Sequence, residues 1–292
     1  MEFFRICGGT PLNGSIDISG SKNAALPQFA ATLLSSEKSI LENVPDLSDV
    51  RFMGEILSEL GADVRRLNRT SWEIDPANIT HRAPYDLVRK MRASICLLGP
   101  LVGRLRKAEI PMPGGCVIGQ RPIDLHLKAL NCLGATTELE KGVVMVDAKD
   151  LKGSQIFLGG RHGSTVTGTT NAIMAAVLAP GDTKIESSAC EPEIIDLCKM
   201  LIKMGAKIDG VGSHILNIQG VTALRGCVHK VMPDRIEAAT YAIAAAITEG
   251  EIVLNNAKSE HLGSFINVMM GSGVKMESLA NNQIKVGLNH ND

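Results

Sequence analysis

The stretch richest in groups able to do chemistry is residues 111–130, PMPGGCVIGQRPIDLHLKAL, where a cysteine on a glycine-rich loop is followed by an arginine and a helix start. Gly114 and Gly115 lack a Cβ, so the loop can bring its amides close to a ligand and present Cys116 instead of packing it. Arg121, five positions on, carries a permanent guanidinium able to fork onto phosphate. Pro122 suits a first helical turn, and Ile123, Asp124, Leu125 and His126 follow, with Asp124 at the positive end of the helix. A thiol, a cation able to fork onto phosphate and a helix start thus meet within about a dozen residues, a combination suited to an anionic ligand. The plain alternative is a surface loop holding a buried structural cysteine; the paired glycines and the Arg-Pro step favour a site.

The elements that position this loop must come from a chain of 292 residues, 45% hydrophobic and 21% charged, which is room for one large domain or two ordinary ones. A net charge of −1 and 3% aromatic residues argue against a nucleic-acid partner. The apolar runs at 172–178 and 242–247 fall far short of the roughly 18–20 residues that span a bilayer, so no membrane partner is expected. The opening MEFFRICGG lacks the apolar core of a signal peptide. Cysteines stand at 7, 96, 116, 132, 190, 198 and 227, an odd count without a Cys-x-x-Cys pair or a histidine at zinc spacing. That pattern predicts reduced thiols in the cytoplasm and no structural metal.

One phrase recurs four times: an alanine-rich helix, a short strand, a polar turn, a second helix, small residues and another strand. Its landmark glycines, 61, 134, 205 and 273, are 73, 71 and 68 residues apart. The first helix of each unit is apolar nearly all round, as at 172–178 and 238–247, which predicts burial. The second is amphipathic, as Glu193, Ile194, Leu197 and Leu201 show beside Lys199 and Lys203, and the glycine after it suits a left-handed C-cap. Each unit reads as a βαβ-type module of an α/β fold. The run VTALRGCVHK at 221–230 precedes a restart at Pro233, which places a boundary there: 22–229 as a three-repeat lobe, and 1–21 with 230–292 as an incomplete second lobe.

Five motifs carry a resemblance: Gly20-Ser21-Lys22-Asn23-Ala24-Ala25, Met91-Arg92-Ala93-Ser94, Pro113-Gly114-Gly115-Cys116 with Arg121-Pro122-Ile123-Asp124-Leu125, Glu191-Pro192-Glu193-Ile194, and Pro233-Asp234-Arg235-Ile236-Glu237. In this order, over residues 3–286, they resemble the UDP-N-acetylglucosamine enolpyruvyl transferase family, which opens bacterial peptidoglycan synthesis. The resemblance implies an inside-out α/β barrel of six repeats in two lobes, of which four are present here. It implies phosphoenolpyruvate at Lys22 and Asn23, and the nucleotide sugar at Arg92, at Arg121, Pro122, Ile123, Asp124 and Leu125, and at Gly163, Ser164, Thr165 and Val166. Many family members have lysine where Gly163 stands. Cys116 matches the family's proton donor and its site of alkylation by fosfomycin, a role some members give to aspartate.

The implied reaction transfers an enolpyruvyl group from phosphoenolpyruvate to the 3′-hydroxyl of UDP-N-acetylglucosamine, with no cofactor and no obligate protein partner evident. The family's general base and a late arginine fall in repeats with no counterpart here, so the chain as given is expected to turn over poorly and to leave residues 238–247 with an uncovered apolar face. Two alternatives stay open: a nucleotide-sugar-binding remnant without catalysis, and a shikimate-pathway enolpyruvyl transferase relative. Turnover separates the first; ligand preference separates the second.

Overall fold

The computed structural model describes residues 3–5, 7–114, 122–161 and 163–288. The chain divides into two compact units, residues 22–232 and residues 1–21 with 233–292.

The larger unit holds three copies of one module. The first comprises α1 (Lys22–Thr32), β2 (Ser39–Glu42), α2 (Ser48–Glu59) and the hairpin β3 (Asp63–Asn68) and β4 (Ser71–Asp75). The second has a short α3 (Tyr85–Val88), a 3₁₀-helix (Arg92–Leu97) running into α4 (Leu98–Leu105), then β5 (Lys107–Pro111), α5 (Asp124–Cys132), β6 (Thr136–Glu140) and β7 (Val143–Asp147). The third comprises β8 (Gln155–Phe157), α6 (Val166–Ala176), β9 (Asp182–Glu186), α7 (Pro192–Lys203), β10 (Lys207–Asp209) and β11 (Ile215–Gln219), after which β12 (Val228–Lys230) ends the unit. The smaller unit holds one module: β1 (Asn13–Asp17), α8 (Arg235–Ile247), β13 (Glu251–Asn255), α9 (Gly263–Gly271), β14 (Val274–Leu279) and β15 (Gln283–Leu288).

Each module builds its own sheet. The strand after the buried helix pairs antiparallel with the second strand of the hairpin, giving β2-β4-β3, β5-β7-β6, β9-β11-β10 and β13-β15-β14. A fourth strand adds in parallel on the other side in three of them. Among the described residues only β8 and β9 are joined as a local βαβ unit, which corrects the expectation of a βαβ-type module in each repeat; β2 takes β12 and β13 takes β1, each from a distant part of the chain. In the second module the place is held by residues 81–83, where the Glu109 backbone amide donates to His81 O at 2.8 Å and its backbone carbonyl accepts from the Ala83 amide at 3.0 Å. Among the described residues none of these sheets closes into a barrel, which corrects the expected inside-out barrel. Closure needs a last strand bonded to the first, whereas every sheet here is an open ribbon with hairpin strands β3, β6, β10 and β14 on its outer edge.

The landmark glycines take φ of +104°, +92°, +105° and +85° at 61, 134, 205 and 273. After α2, α5 and α7 the same pair of bonds follows, for instance Gly205 N to Ile202 O at 2.9 Å and Ala206 N to Leu201 O at 2.9 Å. This double closure satisfies the last carbonyls of the helix and needs the left-handed residue that glycine supplies.

The core of the larger unit is formed by α1, α4 and α6, whose Phe29, Ala30, Leu98, Leu101, Ile173 and Ala176 are fully buried. They run the same way. Gly99 lies against Asn171 and Gly103 against Met174 on α6, where an added Cβ would come within 2.6 Å and 2.9 Å of the two carbonyl oxygens. Arg104 donates to Leu33 O, Ser35 O and Pro76 O at 3.0, 2.6 and 2.8 Å, and Arg106 to Leu178 O at 2.9 Å. Arg106 also donates to Gly103 O of α4, so the two guanidiniums neutralise the carbonyl ends of all three helices. In the smaller unit α8 turns Ala238, Ala242 and Ala245 to a core of Ile18, Leu254, Ile284 and Val286, and exposes Ile236, Ile243 and Ile247.

Candidate functional site

With the carbonyl ends of α1, α4 and α6 grouped at one end of the core, their N-terminal ends are grouped at the other, and three helix N-termini make a positive field suited to anions. The residues singled out in the sequence open these helices. Lys22 is the first residue of α1, and its ammonium lies 3.0 Å from Asp49 Oδ2 at the start of α2, with the exposed Asn23 beside it. Arg92 opens the 3₁₀-helix that leads into α4, and α1 packs against that segment. Gly163, Ser164, Thr165 and Val166 enter α6, where Thr165 Oγ1 accepts from the Gly168 amide at 3.2 Å. The cap leaves the first amides of the helix without an intrahelical acceptor, directed outward.

A tight turn shapes that entry. Gly160 and Gly163 exchange backbone bonds of 2.9 and 3.1 Å, and Gly163 has φ +92°. A Cβ on Gly160 would meet Leu125 Cδ1 at 2.9 Å, so the turn packs on the start of α5. There Pro122 and Asp124 are exposed, Ile123 is buried and Leu125 half-buried. Cys116 and Arg121 lie outside the described residues. The approach to their loop is set at Gly114, where a Cβ would fall 2.2 Å from Arg89 O; close backbone contact is what requires glycine there.

Beneath these segments is a buried network that sequence reasoning missed. His126 Nε2 lies 3.1 Å from Thr167 Oγ1, and its Nδ1 lies 2.8 Å from Asn171 Nδ2. Asn171 Nδ2 also donates to Ile95 O at 2.9 Å, while its Oδ1 accepts from the Gly99 amide at 2.7 Å. The segments bearing Arg92, Asp124 and Leu125, and 163–166 are thus joined through His126 and Asn171. Burial, with help from the Arg92 charge and against that of Asp124, lowers the His126 pKa to about 4. A second network ties β12 to α1 and α7: Asp196 accepts from Gln28 Nε2 at 2.7 Å and from the Met232 amide at 3.1 Å, and pairs with His229 at 3.2 Å. Burial opposes the Asp196 charge, but these bonds hold its carboxyl below the usual range. His126, a lone histidine beside leucines of the kind that is often a satisfied structural residue, and an asparagine at the head of the apolar run AIMAAV were the available signals for the first network.

A helical core with anion-directed N-termini and satellite sheets defines the class, and comparison with known proteins gives the family. Residues 6–290 match the family model described as EPSP synthase (3-phosphoshikimate 1-carboxyvinyltransferase), and the chain belongs to that family. It is 52% identical over 277 residues to the UDP-N-acetylglucosamine 1-carboxyvinyltransferase of Methylacidiphilum infernorum, covering 95% of this chain and 66% of the relative. The enzyme of that name from Akkermansia muciniphila is 48% identical, with 95% and 65% covered. The chain therefore spans about two thirds of the length of the curated relatives it matches. Among solved structures, the enolpyruvyl transferase NikO from Streptomyces tendae shares the fold with a TM-score of 0.85 at 21% identity, over 97% of this chain and 67% of that one. EPSP synthase from Acinetobacter baumannii follows with a TM-score of 0.74 at 16% identity, over 97% of this chain and 65% of that one. Among the described residues no helix is long and apolar enough to cross a membrane.

Proposed function

We propose that the protein to which this chain belongs transfers the enolpyruvyl group of phosphoenolpyruvate to the 3′-hydroxyl of UDP-N-acetylglucosamine, in the cytoplasm, as a step of peptidoglycan synthesis. The observation that carries this reading is the 46–52% identity, over 95% of the chain, to proteins named for that reaction. In this reading residues 22–229 form the lobe that holds the nucleotide sugar, and 1–21 with 230–292 belong to the second lobe. Lys22 and Asn23 take phosphoenolpyruvate, and the opening of α6 takes the diphosphate on exposed amides. Arg92, Arg121 and residues 122–125 fix the rest of the nucleotide sugar.

Cys116 is the acid. An ordinary thiol, with a pKa of about 8.5, keeps its proton at neutral pH and can deliver it to the methylene carbon of phosphoenolpyruvate. The sugar hydroxyl adds to the neighbouring carbon as its own proton passes to a base. The tetrahedral adduct then loses a proton from the new methyl group and expels phosphate. Cations and helix N-termini stabilise the leaving charge, with Lys22 held in place by Asp49.

Calorimetry of this chain with UDP-N-acetylglucosamine and, separately, shikimate 3-phosphate tests the reading. Binding of the nucleotide sugar alone is expected; binding of shikimate 3-phosphate alone would overturn it.

A further inference from the structure

We infer that His126 is a positioning residue: a neutral imidazole with its hydrogen on Nε2, it sets the first turn of α6 against α5 and the 3₁₀-helix so that the 163–166 segment can receive a nucleotide diphosphate. The inference rests on the proposed function for the ligand, but not for the proton arrangement.

The arrangement follows from fixed backbone polarity. The Gly99 amide can only donate, so Asn171 must turn Oδ1 toward it; the Ile95 carbonyl can only accept, so Asn171 must turn Nδ2 that way. The second hydrogen of the same Nδ2 then faces His126 Nδ1 at 2.8 Å, which must be the bare, accepting nitrogen. A neutral ring with Nδ1 bare carries its hydrogen on Nε2, and at 3.1 Å that hydrogen goes to Thr167 Oγ1. The chain of donors runs one way, from the amide of α4 through Asn171 and His126 to the first turn of α6. Protonating Nδ1 would set two donors face to face in a site where His126 is only 2% exposed. The charged groups acting on the ring are Arg92, which opposes its protonation, and Asp124, which favours it; burial exceeds both.

Thr167 stands next to Val166 and two residues from the capping Thr165, so whatever holds Thr167 holds the entry to the helix. The same ring sits on α5, two residues after Asp124 and next to Leu125, on which the Gly160 turn packs. One side chain therefore sets the spacing between two of the proposed nucleotide-sugar contacts, and Asn171 ties both to the segment opened by Arg92. A histidine that merely fills space would not need its two nitrogens matched to groups of opposite polarity.

Three substitutions separate positioning from packing. Thr167→Val removes the acceptor and keeps the shape; His126→Asn preserves an acceptor near Nδ1 but falls short of Thr167; His126→Gln extends an amide to where Nε2 lies. By calorimetry, Thr167→Val and His126→Asn are expected to weaken UDP-N-acetylglucosamine binding about tenfold or more, the worth of one buried hydrogen bond, and His126→Gln by less than about threefold. Affinity losses that simply follow the fall in melting temperature across the three, or unchanged affinity in Thr167→Val, would overturn the inference.

If the unsubstituted chain binds no nucleotide sugar, the proposed function fails and the inference is judged without ligand. Nitrogen NMR should then show His126 with Nδ1 bare and Nε2 protonated from about pH 5 to pH 8, and amide exchange over 164–168 should rise about tenfold in Thr167→Val. A proton on Nδ1, or unchanged exchange, would refute it.

Discussion

Gly99 and Asn171 meet where α4 crosses α6, with the Gly99 amide 2.7 Å from Asn171 Oδ1 and no room for a side chain between the two backbones. The contact fixes the helix spacing and, through the amide of Asn171, the tautomer of His126. Packing in the core and proton placement beneath the candidate site are one constraint.

Gly99→Ala should therefore be costly. Its Cβ would lie 2.6 Å from Asn171 O and 2.9 Å from Asn171 Cα, both backbone atoms that cannot yield without parting the helices. A loss of about 3 kcal/mol is expected, at the upper end of overpacking effects. Gly205→Ala is the control, with φ +105° but nothing within 4 Å of the new Cβ, and should cost about 1 kcal/mol. Urea unfolding followed by Trp72, the one tryptophan, measures both, because that ring packs on Phe29 in the core of the larger unit at 5.6 Å. Equal costs would show that α4 and α6 can part easily.

The buried histidine also sets a pH dependence. The folded ring has its pKa lowered from 6.5 to about 4, so between these values the unfolded chain binds a proton that the folded chain does not. Stability from this group is complete above pH 6.5, falls as pH drops toward 4 and then levels, a span of roughly 3 kcal/mol. Urea midpoints at a series of pH values should fall more steeply for the natural chain than for His126→Gln. Parallel curves would mean that the ring is solvated or protonated in the fold.

Much of this molecule was legible in its sequence. Repeat spacing gave the four-fold recurrence of modules but not their internal pairing, the all-apolar helices gave the core of the larger unit, and the glycines 61, 134, 205 and 273 gave helix ends confirmed by their φ angles. The expected barrel was wrong, because it came with the resemblance and no local pattern encodes whether a sheet closes. Nor was the source of the parallel strands legible: β12 and β1 lie about 190 and 240 residues from their partners, a pairing set by tertiary packing. Asn171 and His126 lie 45 residues apart, and nothing in the sequence shows that they face each other.

The thiols should react in an order set by burial. Cys96 and Cys198 are buried, which pushes both to about 12 and leaves almost no thiolate at neutral pH. Burial also raises Cys190 and Cys227. Cys7 is exposed, a competitor to Cys116 that sequence reasoning overlooked. Iodoacetamide labelling read by peptide mass spectrometry should modify Cys116 and Cys7 first, and UDP-N-acetylglucosamine with phosphoenolpyruvate should protect Cys116 alone. Early labelling of Cys96 or Cys198 would contradict the packing of the core.

Helix α8 holds the place in its module that α6 holds in the third. In α6 residues 172–176 are all fully buried; in α8 the alanines face inward while Ile236, Ile243 and Ile247 are 50%, 48% and 79% exposed. Those isoleucines are seven and four residues apart, so they share one helix face. Burying an isoleucine side chain gains roughly 1.5–3 kcal/mol, which makes such a face adhesive in water. Light scattering of the chain should rise with protein concentration, and Ile243→Lys combined with Ile247→Lys should reduce the rise without changing the far-ultraviolet circular dichroism. Ala242→Lys, by contrast, places a charge at a position with no exposure and should unfold the smaller unit. Scattering unchanged by the double substitution would show that another surface drives association, and a folded Ala242→Lys variant would show that α8 is not seated as described.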